Sequence, residues 1–164
     1  MATATYTPIA TQTLGSAAAS ITFSSIPGTY TDLRLVLTGT TSLGDGIEIQ
    51  FNGDTATNYS FVSLSGNGTT ASSGNSSSQT SIRINTQAIT GVTYADFNAF
   101  DVFSYAGSTN KTLLATAVSD QNGSGGLDLT VGLWRSTAAI TSIKLLMLSA
   151  SYFNTGTIAT LWGI

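Results

Sequence analysis

The run Thr31-Asp32-Leu33-Arg34-Leu35-Val36-Leu37-Thr38 decides the fold class of this chain. Its odd positions 33, 35 and 37 are all leucine, whereas Asp32 and Arg34 occupy even positions. An alternation of period two places the leucines on one face of a β-strand and the charged residues on the other. The run therefore predicts a strand with one buried face.

The same alternation recurs along the chain. Ile47, Ile49 and Phe51 form one such face. Residues 127–134 form another, in which we expect the face made by Leu127, Leu129, Val131 and Leu133 to lie in the core. Further strands are predicted at residues 6–13, 20–25, 59–65, 81–85, 96–105, 111–120, 142–149 and 157–164. The runs at 96–105 and 142–149 are apolar on both faces, which predicts central strands or strands that face a neighbouring subunit.

Turn signals such as Asn122-Gly123 separate these runs, and no convincing helix start is present. Short strands divided by turns at this spacing predict an all-β antiparallel sandwich or barrel of about ten strands. We expect one domain over residues 1–164. Residues 66–80 are almost entirely Gly, Asn, Ser, Thr and Gln, so we predict an exposed loop there.

The composition is poor in charge. Only 8% of the residues are charged, against about 25% in typical domains, and the net charge is −3. This balance disfavours a nucleic-acid partner and an anionic membrane surface. Little charge also means little repulsion, which favours association with copies or with partner proteins. We expect neither a signal peptide nor a membrane helix, since no segment has the pattern of either.

The chain has no His and no Cys, which excludes disulfides, thiolate nucleophiles and zinc–sulfur sites. Asp45, Glu48 and Asp54 could in principle form a glycosidase pair, but solvated carboxylates beside turns are the simpler interpretation. A Ser–Lys dyad that uses Lys111 or Lys144 is the weaker of the two catalytic interpretations. We therefore predict that the chain is not an enzyme and needs no cofactor.

Residues 120–128 cluster oxygen ligands in a glycine-rich turn, as calcium sites do. The EF-hand pattern fails because its twelfth position is Val131 rather than Glu. The alternative is a hairpin loop whose Asp and Asn side chains bond to their own backbone. We favour the hairpin and predict no metal.

Aromatic side chains supply the candidate contact residues. Trp134 is opposite in phase to Leu133 and its companions, so we expect it to leave the main core. Three roles stay open for it: a subunit interface shared with Arg135, a second-sheet core, or a stacking platform for a sugar. Tyr105 and Tyr152 are further candidates for an interface or a ligand platform.

Several segments resemble, in order, virion proteins of tailed bacteriophages. They are Thr13-Leu-Gly-Ser-Ala-Ala-Ala-Ser-Ile-Thr-Phe-Ser-Ser-Ile-Pro-Gly-Thr-Tyr-Thr-Asp-Leu33, Ile49-Gln-Phe-Asn-Gly-Asp54 with Asn58-Tyr-Ser60, Ser108-Thr-Asn-Lys111, Gly132-Leu-Trp-Arg-Ser-Thr-Ala-Ala-Ile-Thr-Ser-Ile143 and Leu161-Trp-Gly-Ile164. The resemblance spans nearly the whole chain, although each segment alone is only a strand and a turn.

The resemblance implies a jelly-roll-like sandwich on the virion, with no catalytic residues. The leading interpretation is a capsid decoration (cement) protein, a homotrimer that binds the major capsid protein. The alternative is a tail-fibre or receptor-binding module that recognises host-surface glycans.

Overall fold

The computed structural model describes residues 5–84 and 93–164, which form β-strands, turns and loops. None of these segments is helical, so the described part of the chain offers no helix that could span a membrane. The strands are β1 (Thr7–Thr13), β2 (Ser20–Phe23), β3 (Leu33–Gly39), β4 (Ile47–Phe51), β5 (Tyr59–Gly66), β6 (Ala71–Gln79), β7 (Ile82–Arg83), β8 (Asp96–Phe103), β9 (Lys111–Asp120), β10 (Gly125–Trp134), β11 (Ile143–Met147) and β12 (Ile158–Gly163).

The strands form two sheets with a shared core. The large sheet has eight strands in the order β1-β12-β3-β8-β9-β10-β5-β6, and the small sheet has four in the order β2-β11-β4-β7. Every pairing in both sheets is antiparallel. Buried side chains of both sheets belong to one hydrophobic cluster. The predicted all-β antiparallel sandwich is confirmed, with 12 strands in the described residues.

Strand β3 carries the alternation predicted for it. Its three leucines are fully or almost fully buried, including Leu35, which pairs with Leu161 of β12. Arg34 points to the opposite face, where its Nη1 donates to Oδ1 of Asp101 at 3.1 Å. Full burial of one leucine side chain stabilises the fold by roughly 1.5–3 kcal/mol, so this strand is a main contributor to the core.

The two strands predicted as apolar on both faces are interior strands. Strand β8 lies between β3 and β9 in the large sheet, and β11 lies between β2 and β4 in the small sheet. Phe100 of β8 points into the core, whereas Phe97 and Phe103 point outward and are exposed. The prediction of central strands is confirmed for both.

Most predicted strand positions are also confirmed. The run at 111–120 matches β9 at both ends. The run at 81–85 contains β7, and its last residue, Asn85, lies outside the described residues.

The predicted loop at 66–80 is wrong over its second half. Residues 71–79 form β6, which pairs with β5 at the edge of the large sheet. The side chains are mostly exposed, as expected, but the strand is held by main-chain hydrogen bonds that do not require apolar residues. The turn before it is held by Asn67, whose Oδ1 accepts from the backbone N–H groups of Thr69 and Thr70 at 3.0 and 2.8 Å.

A close approach between the sheets occurs at Gly132 of β10. A Cβ atom there would lie 2.7 Å from side-chain atoms of Ile82, which is completely buried in β7. A branched side chain packed on all sides cannot move aside without disturbing the core. Only glycine therefore fits at this position under Ile82.

We expect Gly132→Ala to reduce the free energy of unfolding by about 1–3 kcal/mol through overpacking. Urea unfolding measures this change. The double variant Gly132→Ala/Ile82→Ala should lose less than the sum of the two single losses, since the smaller side chain relieves the clash. Additive losses would show that these two residues do not meet.

Candidate functional site

In strand β10, the face that points into the core is the opposite of the one predicted from the alternation. The inward positions are Asp128, Thr130, Gly132 and Trp134, all buried. The apolar residues between them point away from the core, and Leu129 is 41% exposed. The prediction that the face of residues 127–133 lies in the core is therefore wrong.

Trp134 explains the reversal, and the prediction that it leaves the main core is also wrong. It is only 2% exposed, with its ring centroid 5.6 Å from that of Phe51 and 6.2 Å from that of Tyr59, on which it stacks. Its Nε1 donates to Oδ2 of Asp54 at 2.7 Å. A buried tryptophan removes more apolar area from water than any leucine. Because side chains alternate between the two faces of a strand, the inward direction of Trp134 fixes the direction of all the other side chains in β10.

Asp54 connects this core position to the surface. Its Oδ2 also accepts from Asn58 Nδ2 at 2.9 Å, and its Oδ1 accepts from the backbone N–H of Ala56 at 2.9 Å. The hydrogen bonds from Asn58 and then from Trp134 hold the pKa of the Asp54 carboxyl below its ordinary value of 3.8. Burial raises the pKa of the neighbouring Tyr59 to about 12.

The other candidate aromatics do not join Trp134 in one site. Tyr105 is completely buried, and its hydroxyl donates to the carbonyl oxygen of Pro27. Tyr152 is exposed on a different loop, where its backbone exchanges hydrogen bonds with Ser42. A role as a surface platform is therefore wrong for Trp134 and Tyr105, and it stays a prediction for Tyr152.

Arg135 lies at the surface directly after Trp134. Its Nη2 donates to the carbonyl oxygen of Thr57 at 2.6 Å, and its backbone N–H donates to the carbonyl oxygen of Asn58 at 2.9 Å. The guanidinium therefore fixes the turn before β5. Its role in an interface stays a prediction.

The reversal of β10 creates a large apolar surface, which we call the outer face. It consists of the exposed apolar side chains on the outward side of four adjacent strands of the large sheet: Val62, Leu64, Phe97, Phe103, Val118, Leu127, Leu129 and Val131. Strand register joins them, with Leu129 opposite Leu64, Val131 opposite Val62, Leu127 opposite Val118, and Val118 opposite Phe97. Directly opposite side chains are close neighbours, so these pairs link the apolar residues of adjacent strands, whereas Phe103 lies opposite Thr112 at the margin of the outer face.

Strand β5, like β10, directs apolar side chains outward and polar side chains inward. Val62 and Leu64 point outward, whereas Ser63 and Ser65 are buried. The hydroxyls of Ser65 and Ser72 lie 2.8 Å apart across β5 and β6 and bond to each other. From Val62 to Ser65, small polar side chains thus lie inside and apolar side chains outside, the inverse of a typical solvent-facing sheet.

The centre of the outer face carries no charge. The outward positions of β5, of β10 from Leu127 and of β9 from Thr112 to Val118 are apolar, hydroxyl-bearing or glycine. On the neighbouring strand β8, Asp101 is neutralised by its ion pair with Arg34. No charged side chain lies among these exposed apolar groups to favour hydration of the surface. An apolar surface without charge is typical of the core of a protein interface rather than of a solvent-facing sheet.

Two open depressions lie on this side of the sheet. One, of about 350 Å³, lies between β5, β6 and β10 and includes Val62, Asn75 and Val131 in its lining. The other, of about 420 Å³, includes Phe97, Val118 and Leu127. Both are shallow and mainly apolar, which suits side chains of a partner protein better than an enclosed small ligand.

The carboxylates proposed for catalysis serve as structural acceptors or lie on different elements. Asp45 accepts from the backbone N–H groups of Gly46 and Ser149, at 2.8 and 2.5 Å. Glu48 lies on β4 opposite Arg83, and burial raises the pKa of its carboxyl. Asp54 holds Trp134, as described above. Among the described residues, no group of three or more acidic side chains is arranged to hold a metal ion.

The glycine-rich segment 120–128 contains the hairpin turn between β9 and β10, at residues 121–124. Asn122 and Gly123 both have positive φ, at 61° and 87°, as tight hairpin turns require. Asp120 accepts from the backbone N–H of Gly123 at 2.8 Å, whereas Asp128 is buried on the inward face. The two carboxylates therefore do not converge, and the hairpin interpretation is confirmed.

Lys111 is likewise part of the scaffold. It is almost completely buried, and its Nζ donates to the carbonyl oxygens of Gly107 and Thr109, at 2.8 and 2.5 Å. Burial lowers the pKa of this amine. Its hydrogen bonds close the turn between β8 and β9.

No protein-family model matches this chain, and no curated protein matches it. Among solved structures, it is similar to the galectin LEC-6 of Caenorhabditis elegans, with 11% sequence identity and a TM-score of 0.38. The alignment covers 88% of this chain and 92% of the galectin. A likeness this loose carries no argument about ligands or site residues.

We expect Asp54→Ala to reduce the free energy of unfolding by about 1 kcal/mol at pH 7, since Asp54 is partly exposed and its charged hydrogen bonds are screened. A carboxyl with a lowered folded-state pKa stabilises the fold above its ordinary pKa of 3.8 and loses that effect as the pH falls through the lower value. The difference between wild type and variant should therefore shrink below about pH 4.

Urea unfolding of both proteins at a series of pH values measures that difference. Asp120→Ala is the matched control, because Asp120 holds only its own hairpin. A difference that stays constant down to pH 2 would contradict the role given to the Asp54 carboxylate.

Proposed function

We propose that this chain is a structural protein of a tailed-phage virion, which acts as a capsid decoration protein. In this proposal the outer face binds neighbouring major capsid subunits. The observation that carries it is the exposed apolar surface on β5, β10, β9 and β8, whose centre carries no charge.

The size of the outer face supports a protein partner. Eight exposed apolar side chains contribute to it, several of them about half accessible. They expose on the order of several hundred Å², at or above the largest apolar patch of a typical monomer. A standard protein interface uses roughly 800 Å² from each partner, so the outer face can form the core of one.

The charge pattern supports a crowded, repetitive setting. With 8% charged residues and a net charge of −3, copies packed side by side on a shell repel one another little. The sequence resemblance to phage virion proteins points to the same setting. The identity of the bound shell protein is a proposal that rests on that resemblance.

Binding to undecorated heads of the encoding phage tests the proposal. We expect wild-type protein to co-sediment with such heads and to raise their melting temperature in scanning calorimetry. Leu129→Glu should weaken binding at least tenfold, because a carboxylate would have to be buried in an apolar contact.

Leu148→Glu is the matched control. Leu148 is 38% exposed against 41% for Leu129, but it follows β11 of the small sheet. It should bind heads as wild type does. Equal loss in both variants, or no binding by wild type, would contradict the proposal. Binding to bacterial polysaccharides on a glycan array without binding to heads would favour the fibre module instead.

A further inference from the structure

Asparagine followed by glycine occurs three times in the chain, at Asn52, Asn67 and Asn122. The side-chain amide of such an asparagine can be attacked by the backbone nitrogen of the next residue, and glycine has no side chain to hinder the approach. The attack requires that the amide be free to turn toward that nitrogen. The hydrogen bonds of the three side chains therefore decide which of them can react.

The side chain of Asn52 is held through both of its polar atoms. Its Nδ2 donates to the carbonyl oxygen of Ala139 at 2.8 Å, and its Oδ1 accepts from the backbone N–H groups of Thr141 and Ser142 at 2.8 and 3.1 Å. These bonds connect the turn after β4 to the segment before β11. Rotation of the amide would break all of them, so the fold protects Asn52 from the attack.

Asn67 is held through its oxygen. Its Oδ1 accepts from the backbone N–H groups of Thr69 and Thr70 at 3.0 and 2.8 Å, and from the Thr70 hydroxyl at 3.2 Å. An asparagine side chain that bonds to its own turn in this way can rotate only when the turn opens. The turn between β5 and β6 therefore restrains Asn67 as well.

The side chain of Asn122 is unrestrained. It is exposed in the turn between β9 and β10, and within the described part of the chain no hydrogen bond holds it. The attacking nitrogen would be that of Gly123, whose N–H donates to Oδ1 of Asp120 at 2.8 Å. A general base must lie about 2.6–3.2 Å from the atom whose proton it takes, and Asp120 meets this condition. Asn122 thus combines a free amide with a carboxylate at the attacking nitrogen.

We propose that Asn122 is a site of spontaneous deamidation, which Asp120 assists. Asp120 takes the proton from the backbone nitrogen of Gly123, and this nitrogen forms a bond to Cγ of Asn122. The bond from Cγ to Nδ2 breaks, and the amide nitrogen leaves as ammonia with the proton that Asp120 returns to it. Water then opens the cyclic imide at either carbonyl, which gives aspartate or isoaspartate. The proposal rests on the hairpin and does not depend on the proposed function.

The product would change the surface beside the outer face. Asp120 lines the apolar depression that also includes Phe97, Val118 and Leu127. A carboxylate two residues from Asp120 therefore adds negative charge at the margin of the outer face. In the isoaspartate form, Cβ also becomes part of the main chain. A tight turn that requires positive φ at both central residues accommodates such an insertion poorly.

Peptide mapping by mass spectrometry measures the reaction at all three sites in one sample. We expect the mass increase of deamidation, in which a hydroxyl replaces an amino group, to accumulate at Asn122 roughly tenfold or more faster than at Asn52 in folded protein at mildly alkaline pH. Asn67 should also react more slowly than Asn122. In urea the three rates should become similar, because the hydrogen bonds that distinguish the sites are lost.

Asp120→Asn tests the role of the carboxylate. We expect this change to slow the reaction at Asn122 about tenfold or more in folded protein, because the base is lost. The rate at Asn67 should stay unchanged and serves as the internal control, and near-ultraviolet circular dichroism checks that the variant is folded. In urea, wild type and variant should react at similar rates.

Four outcomes would overturn the proposal. An unmodified Asn122 in native buffer would remove it directly, as would a faster reaction at Asn52 or Asn67. Rate ratios that are the same in urea and in native buffer would assign the preference to the sequence rather than to the fold. A folded Asp120→Asn variant that reacts at Asn122 as fast as wild type, or faster, would exclude Asp120 as the base. None of these measurements depends on binding to heads.

Discussion

The burial of Trp134 is the constraint on which the rest of the structure depends. Its ring packs against Phe51 and Tyr59, and Asp54 accepts its indole N–H. Two residues earlier, Gly132 leaves room for Ile82 of the opposing sheet. With these positions directed inward, the strict alternation of a β-strand sends Leu127, Leu129 and Val131 outward, although they are the more regular apolar series.

Strand pairing extends this choice across the large sheet. Residues directly opposite in an antiparallel pair lie on the same face, so the outward phase of β10 is shared by β5, β9 and, through β9, by β8. The result is an apolar surface that no other part of the described chain covers. The proposed function rests on that surface, because an exposed apolar face suits contact with other proteins better than binding at an enclosed pocket.

Much of the fold could be predicted from the sequence, because alternation and turn residues are local signals. The leucines of β3 and the limits of β9 follow from them directly. Alternation shows which residues share a face but not which face is inward. In β10 the choice depends on one large aromatic and one glycine that meet partners on β4 and β7, and this is long-range information. Strand β6 could not be predicted either, because its pairing uses backbone groups and its side chains carry no apolar signal.

Thiol labelling measures the direction of β10 most directly, because the chain contains no cysteine of its own. Single variants Leu129→Cys and Thr130→Cys would be treated with a maleimide under native conditions and again in urea. The account predicts rapid native labelling at position 129, and labelling at position 130 only on unfolding, since Leu129 is 41% exposed and Thr130 is completely buried. Rapid native labelling at 130 with protection at 129 would contradict it.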